Sequence, residues 1–204
     1  MSSMVQDPES YFRQFIPKRP PILEKMEAEA VLESIPIVGP VVGELLFLLA
    51  KISGAARILE FGTASGYSAV YLGNAARDVG GKVISLESDA ERAVEAVSHI
   101  REAGLEEFVE VRCSDAIQAV AEMNGPFDMV FLDIEKRDYA ALLPHCTRIV
   151  RKGGLLIADN VCFADADPFN QLLFRDENWR AVHLYAFLPM HSPERDGLGV
   201  ALRL

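Results

Sequence analysis

Residues 57–68 carry the pattern that most constrains the fold of this chain. The strand-like run 57–60 ends in an acid, Glu60, and leads into a turn that holds Gly62 and Gly66 before a helical segment begins. Glycine lets the backbone bend sharply and approach a ligand closely. A buried strand followed by such a turn is typical of parallel sheets that bind a nucleotide-type cofactor at their carboxyl edge.

The turn differs from the two common phosphate-binding motifs. Thr63 and Ala64 stand where the dinucleotide fingerprint has its second glycine, and no lysine follows Gly66 as it does in a P-loop. The acid, Glu60, instead favours a cofactor that carries positive charge. S-adenosylmethionine fits, since it has a sulfonium and an ammonium group; an ordinary tight turn between strand and helix is the alternative.

A second acid ends the next apolar run. Glu87 closes residues 82–87 and lies 25 residues after Gly62. A carboxylate at this place can accept hydrogen bonds from both hydroxyls of a ribose. Nicotinamide cofactors and adenosylmethionine share that ribose, so Glu87 does not separate them. A carboxylate that caps the following helix, where Ser88 and Asp89 also offer caps, is the other interpretation.

Oxygen donors end two further apolar runs. Asp133 closes the run 127–133, and Asp159 and Asn160 close the run 155–160. Because neighbouring strands of a parallel sheet end at one crevice, these residues could supply three oxygens to one divalent ion. The expected ion is Mg²⁺, which takes one or two carboxylates and leaves other positions open. Taken singly, each of these residues could instead form a turn.

Together these segments resemble the small metal-dependent O-methyltransferases, the class I S-adenosylmethionine-dependent family that includes catechol and caffeoyl-CoA O-methyltransferases. The resemblance covers residues 22–204 and rests on the segments 35–40, 60–68, 133–136 and 153–161 together with Glu87. It implies that the cofactor is bound by Glu60, Gly62, Ser68, Glu87, Asp115 and Asp133, with Asp115 near the adenine. It also implies that Asp133, Asp159 and Asn160 bind the metal, and that Lys136, assisted by Asp133, is the catalytic base.

The resemblance implies a vicinal-dihydroxy aromatic acceptor of the catechol or caffeoyl type. Ile134 and Glu135 stand where many family members have Ala-Asp, which leaves the metal ligand and the base in place. The segment 189–197 is longer than the usual turn before the last strand, so the choice of acceptor is open there. Three alternatives remain: a tRNA hydroxyuridine O-methyltransferase on the same fold, a nicotinamide oxidoreductase, and a non-catalytic binding protein.

The composition limits the partners of this chain. Its net charge of −10 argues against a broad nucleic-acid-binding surface. Three cysteines without CxxC spacing, and an N-terminal stretch unlike a signal peptide, predict a cytoplasmic protein with reduced thiols and no membrane segment. The four histidines, at 99, 145, 183 and 191, lack metal-ligand spacing. A homodimer is expected from the apolar segment 41–49 and from the resemblance.

Alternating apolar runs and helical patterns predict an α/β, doubly wound, Rossmann-like fold. The sheet has seven strands, mostly parallel, with an antiparallel edge hairpin, and two helices near 22–34 and 40–52 precede it. The expected strands lie near 57–60, 82–87, 108–112, 127–133, 155–159, 181–188 and 198–204. The expected later helices lie near 67–78, 90–103, 114–123, 136–150 and 167–176. Residues 22–204 form one domain in this prediction, and residues 1–21 form a tail that could act as a lid or a dimer arm.

Overall fold

The computed structural model describes residues 3–204 as a seven-stranded sheet with helices on both faces. The strands are β1 (Arg57–Phe61), β2 (Lys82–Glu87), β3 (Val109–Cys113), β4 (Phe127–Leu132), β5 (Val150–Ala158), β6 (Trp179–Phe187) and β7 (Arg195–Arg203). The helices are α1 (Pro8–Arg13), α2 (Pro21–Glu33), α3 (Gly39–Ser53), α4 (Tyr67–Arg77), α5 (Ala90–Glu102), α6 (Ala116–Glu122), α7 (Tyr139–Ile149) and α8 (Asp167–Leu173). Short 3₁₀ turns, Lys136–Asp138 and Ala164–Ala166, precede α7 and α8.

The sheet has the strand order β3-β2-β1-β4-β5-β7-β6. Strands β1 to β5 pair in parallel, whereas β7 is antiparallel to both β5 and β6. The chain reverses its direction of travel across the sheet between β1 and β4, and ligands bind at such a switch point in open α/β sheets. The predicted fold class, with its antiparallel edge hairpin, is confirmed.

Strands β1, β2, β4 and β5 each contribute to two cores, one on either face of the sheet, whereas the edge strand β3 contributes to only one. Ile58 packs with Leu46 and Leu72 on the face covered by α3 and α4. Its neighbour Leu59 packs with Leu142 on the opposite face, which α7 covers. Because successive side chains of a strand point to opposite faces, burial on both sides requires the uninterrupted apolar runs of the sequence.

Several element boundaries differ from the sequence prediction, and one helix was not predicted. Strand β5 begins at Val150, five residues before the predicted start, because the exposed Lys152 and Gly153 interrupt the apolar run that marked the strand. Residues 136–138 form a 3₁₀ turn ahead of α7 instead of its first turn. Helix α1 has no counterpart in the prediction: none of its residues is buried, so it has no apolar face, and it is instead capped by Asp7.

Helix α1 lies against the loop between β6 and β7. Arg13 pairs with Glu194 at 2.5 Å, and Arg195 pairs with Glu9 at 2.7 Å. These pairs are largely exposed, and exposed ion pairs each contribute little to stability. The roles of lid and dimer arm for residues 1–21 stay predictions, and residues 1 and 2 lie outside the described part of the chain.

Large apolar side chains are exposed on the helices that precede the sheet. Val31 and Leu32 of α2 and Ile52 of α3 are each about four-fifths exposed. The homodimer stays a prediction, as do the domain limits and the cytoplasmic location. None of the helices formed by residues 3–204 combines the length and the apolar character that crossing a bilayer requires.

Candidate functional site

A cavity of about 360 Å³ opens at the switch point of the sheet. Its walls come from the loop 35–38, the turn 62–68, the end of β2 and the segment 133–138. It is lined by six residues that the sequence predicted for the site: Gly62, Ser68, Glu87, Asp115, Asp133 and Lys136. The other predicted residues, Glu60, Asp159 and Asn160, are buried behind this surface.

The turn after β1 depends on Gly62 for a structural reason that the sequence did not reveal. Gly62 has a φ of +96°, and a Cβ there would lie 1.8 Å from the carbonyl oxygen of Asp133. Its amide also donates to the Leu86 carbonyl at 3.0 Å, while the Asp133 amide donates to Phe61 at 2.8 Å. The glycine therefore lets the ends of β1, β2 and β4 meet beneath the cavity.

Gly62→Ala is expected to destabilise the fold by about 3 kcal/mol, because it adds a backbone collision to the cost of a positive φ. Gly80→Ala is the matched control, since Gly80 has a φ of +67° and a Cβ added there would meet nothing within 4 Å. That control should lose only about 1 kcal/mol. Urea unfolding of both variants measures the difference, and equal losses would contradict a close approach at Gly62.

Glu60 is fully buried beneath the turn. Its Oε2 accepts a hydrogen bond from the Ser85 hydroxyl at 2.5 Å, whereas Oε1 has no partner within residues 3–204. Burial raises the pKa of Glu60 to about 7, although the hydroxyls of Ser68 and Ser85 counteract part of the rise. An unpartnered buried carboxylate oxygen is costly, and the ammonium group of a ligand would satisfy it.

Glu87 is held in a fixed orientation at the cavity wall. Its Oε2 accepts from the Ala64 amide at 2.7 Å, and its Oε1 accepts from the Asp89 amide at 2.9 Å. Each carboxylate oxygen keeps a further lone pair for a ligand hydroxyl. The alternative role of capping α5 falls to Asp89, whose side chain accepts from the amides of Glu91 and Arg92.

Asp115 and Ser68 reach the cavity from the starts of two helices. Asp115 caps α6, accepting from the Gln118 amide at 2.8 Å, and it lines the cavity on the side of β3. Ser68 lies in the first turn of α4 and is buried. The structure thus brings both residues to the predicted crevice, and their contacts with a cofactor stay predictions.

A half-buried carboxylate, Asp133, and a fully buried one, Asp159, meet where β4 and β5 end. The Asp159 amide donates to the Leu132 carbonyl at 3.0 Å, which places Asp159 beside Asp133 in the sheet. Burial and the charge of Asp159 raise the pKa of Asp133 to about 6, while Lys136 counteracts part of this rise. The Lys136 ammonium lies 2.9 Å from Asp133 Oδ1. The strand ends therefore concentrate negative charge that favours a cation.

Asn160 makes its side-chain hydrogen bonds to the protein through its amide nitrogen. Its Nδ2 donates to Asp196 Oδ2 at 2.6 Å and to the Ser192 carbonyl at 3.3 Å, which leaves Oδ1 available to a ligand. Asn160 has a φ of +51°. Asparagine is one of the few residues other than glycine that adopt this left-handed conformation readily. The Tyr139 hydroxyl lies 3.0 Å from the Leu132 carbonyl and 3.2 Å from that of Asp159, and so bridges β4 and β5.

His191 lies beside Asp159 in this group of polar side chains, although the sequence did not predict it there. Its Nε2 lies 3.0 and 2.9 Å from the two carboxylate oxygens of Asp159, and its Nδ1 lies 2.6 Å from the Pro193 carbonyl oxygen. Burial lowers the pKa of His191, but the hydrogen bond and charge of Asp159 outweigh this effect and leave it raised. The pairing joins residues 32 positions apart, so local spacing could not show it. The unusual length of the segment 189–197 was the available signal.

The donor set at the strand ends fits a hard divalent cation. Asp133 and Asp159 offer carboxylates and Asn160 offers an amide oxygen, the donor types that Mg²⁺ and Mn²⁺ accept. Asp133 faces Lys136, and Asp159 faces His191. Among residues 3–204, no three His, Cys, Asp or Glu side chains are grouped closely enough to form a finished metal site. The assignment of these three ligands stays a prediction that the chemistry of the donors supports.

Comparison with known proteins agrees with this geometry. A family model described as O-methyltransferase matches residues 18–167. A catechol O-methyltransferase from Niastella koreensis is 41% identical over 138 residues, which cover 66% of this chain and 62% of that protein. The solved structure of an O-methyltransferase from Bacillus cereus in complex with SAH has a TM-score of 0.86 at 27% identity, covering 97% of each chain.

A second solved structure comes from Streptomyces achromogenes. The O-methyltransferase TomG of Streptomyces achromogenes, involved in tomaymycin synthesis and solved in complex with SAM, has a TM-score of 0.85 at 26% identity. It covers 96% of this chain and 95% of its own. The matches to curated relatives are shorter, since the chain spans less than two thirds of the length of the first three.

Proposed function

Because this chain belongs to the O-methyltransferase family, we propose that it transfers a methyl group from S-adenosylmethionine to a hydroxyl of a vicinal-dihydroxy aromatic compound, with the help of a divalent metal ion. One observation carries the proposal. The unpartnered carboxylate of Glu60 and the carboxylates of Asp133 and Asp159 lie at the same edge of the sheet, where Asp133 lines the cavity and the other two are buried behind it.

The cofactor half of the proposal relies on Glu60 and Glu87. Ionised Glu60 would pair with the ammonium group of adenosylmethionine, and Glu87 would accept hydrogen bonds from the ribose hydroxyls. Asp115 would lie near the adenine, and Gly62, Ser68 and Asp133 would line the remaining contacts. When bound, adenosylmethionine supplies an electrophilic methyl group. A nicotinamide cofactor would leave the oxygen cluster without a use, which argues against an oxidoreductase.

The metal half of the proposal relies on Asp133, Asp159 and Asn160. A divalent ion held by these residues, expected to be Mg²⁺, would stabilise the phenolate form of a hydroxyl whose ordinary pKa is about 10. Asp133 also accepts a hydrogen bond from Lys136 at 2.9 Å and so holds its amine at the cavity wall. In its neutral amine form, Lys136 would accept the proton of the attacking hydroxyl at Nζ and become the ammonium that pairs with Asp133. Fixing the acceptor oxygen in place supplies much of the expected rate gain.

The shape and composition of the cavity support a small aromatic acceptor. The apolar loop 35–38 forms one wall, opposite the polar segment 133–138. A second groove of about 300 Å³, lined in part by Ile35, Met190 and Ser192, adjoins this loop. The net charge of −10 weakens the case for a tRNA substrate.

An acceptor screen tests the proposal. With labelled adenosylmethionine, catechols and caffeoyl thioesters should be methylated, and excess chelator should reduce the rate at least about 100-fold until Mg²⁺ or Mn²⁺ is restored. Phenol, which lacks the second hydroxyl, is the matched control and should react far more slowly. Methylation of hydroxyuridine RNA alone would support the tRNA alternative, and full activity in chelator would refute the metal role.

A further inference from the structure

The two ring nitrogens of His191 both face hydrogen-bond acceptors. Nδ1 lies 2.6 Å from the Pro193 carbonyl oxygen, which can only accept, so Nδ1 carries a hydrogen. Nε2 lies 2.9 Å from one carboxylate oxygen of Asp159 and 3.0 Å from the other. A lone pair on Nε2 cannot face a carboxylate this closely without a positive centre between them. Either a proton or a metal ion must therefore bridge His191 and Asp159.

This arrangement has the features of a metal-binding histidine. Such residues donate one ring N–H to a backbone carbonyl or carboxylate, which fixes the tautomer, and bind the ion through the other nitrogen. The side chains of His191 and Asp159 are only 1% and 2% exposed. Bulk water is therefore excluded from the contact between the imidazole and the carboxylate.

The loop that carries His191 is built to hold the ring in place. Met190 has a φ of +66°, and its amide donates to Glu194 Oε1 at 2.9 Å. The Leu188 amide donates to the Glu194 carbonyl, and the His191 amide to the Leu188 carbonyl at 3.0 Å. Gly39 packs against the backbone of Met190, where a Cβ would lie 2.8 Å from the carbonyl carbon. The segment 189–197, which looked merely long in the sequence, thus positions one imidazole against Asp159.

We propose that His191 is an additional ligand, through Nε2, of the divalent ion assigned to Asp133, Asp159 and Asn160, and that the ion would draw these side chains closer together than they lie among residues 3–204. The inference rests on the metal dependence proposed above and deepens it by naming the class of ion. Mg²⁺ prefers an all-oxygen shell, whereas imidazole suits Mn²⁺, Co²⁺, Fe²⁺ and Zn²⁺. A mixed shell of oxygens and one nitrogen would favour a transition metal over the Mg²⁺ that is expected from the oxygen donors alone.

Metal binding to the intact, metal-free protein tests the proposal without an activity assay. Pulsed electron paramagnetic resonance of bound Mn²⁺ should show ¹⁴N coupling from a directly bound imidazole. In calorimetric titrations, His191→Ala should weaken Co²⁺ binding by about 10- to 100-fold, the scale found for residues that support a metal site. The same variant should change the affinity for Mg²⁺ by less than about 3-fold, since Mg²⁺ uses the oxygen donors.

His183→Ala is the matched control, because His183 lies on β6 against Phe174 and has no contact with the oxygen cluster among the described residues. It should leave both affinities and the Mn²⁺ spectrum unchanged. Bound Mn²⁺ without ¹⁴N coupling would overturn the role of His191 and leave the proposed metal dependence intact. Equal losses of affinity for Mg²⁺ and Co²⁺ in His191→Ala would show that His191 has only a structural role.

Two outcomes separate this inference from the proposed function. Failure of the wild-type protein to bind Mg²⁺, Mn²⁺ or Co²⁺ would refute the metal dependence and this inference together. If His191→Ala does not fold, the ¹⁴N coupling in the spectrum of the wild-type Mn²⁺ protein still shows whether His191 binds the ion. The titrations are then made with His191→Gln, which retains a hydrogen-bond donor for Asp159. A glutamine that folds and keeps wild-type Co²⁺ affinity would contradict nitrogen ligation.

Discussion

Glu60→Gln is expected to weaken adenosylhomocysteine binding about 1,000-fold while making the ligand-free protein more stable above neutral pH. The glutamine removes the charge that would pair with the ligand's ammonium group, and losing one partner of a buried ion pair costs about 3–5 kcal/mol. In the ligand-free protein the same charge destabilises the folded state, because Glu60 is fully buried and its Oε1 has no partner within residues 3–204.

The pH dependence follows from the raised pKa of Glu60. Its ordinary value of 4.5 applies to the unfolded chain, and burial raises it to about 7 in the folded protein. Between these values the folded state holds a proton that the unfolded state has lost, so stability falls as the pH rises through this window. The stabilisation by glutamine should therefore reach about 2–3 kcal/mol above pH 7 and fade as the pH approaches 4.5.

Two measurements on one pair of variants check this trade-off. Calorimetry gives the affinity for adenosylhomocysteine, and urea unfolding at pH 8 and pH 5 gives the stability of the ligand-free protein. Glu106→Gln is the control, since Glu106 is exposed on the loop before β3 and should change neither quantity. An unchanged affinity in Glu60→Gln would remove this carboxylate from the cofactor site.

The cofactor crevice could be predicted because its residues follow a general rule of parallel sheets. Glu60, Glu87 and Asp133 each end a continuous apolar run, and the carboxyl ends of such strands meet at the switch point. Burial on both faces left these runs unusually clear in the sequence. The existence and order of the five parallel strands were therefore predictable from pattern alone, although β5 begins five residues before its predicted start.

The remaining parts of the site depend on contacts that leave no local pattern. His191 reaches Asp159 only because β7 returns antiparallel beside β5 and holds the preceding loop over the ends of the strands. Position 62 requires a glycine because the carbonyl of Asp133, which is distant in sequence, lies where a Cβ would be. Neither contact has a spacing or composition that a single sequence could show, because each joins segments that are distant in sequence.

Asp159→Asn is expected to lower methylation of a catechol about 1,000-fold and to change the affinity for adenosylhomocysteine by less than about 3-fold. The asparagine removes one negative charge from the proposed metal ligands. Its amide oxygen can still accept a hydrogen bond from His191, whereas alanine would leave that buried ring without a partner and destabilise the fold. Asp159 does not line the cofactor cavity, so binding there should persist.

A metal titration separates the role of Asp159 as a ligand from a role in shaping the crevice. If Asp159 binds the ion, raising the metal concentration should restore part of the activity of Asp159→Asn, because a weakened site fills at higher concentration. Asp165→Asn is the matched control, since Asp165 is exposed six residues further along and should behave as wild type. Loss of adenosylhomocysteine binding in parallel with activity would show that the substitution had disturbed the crevice itself. The proposed role in metal binding would then lose its support.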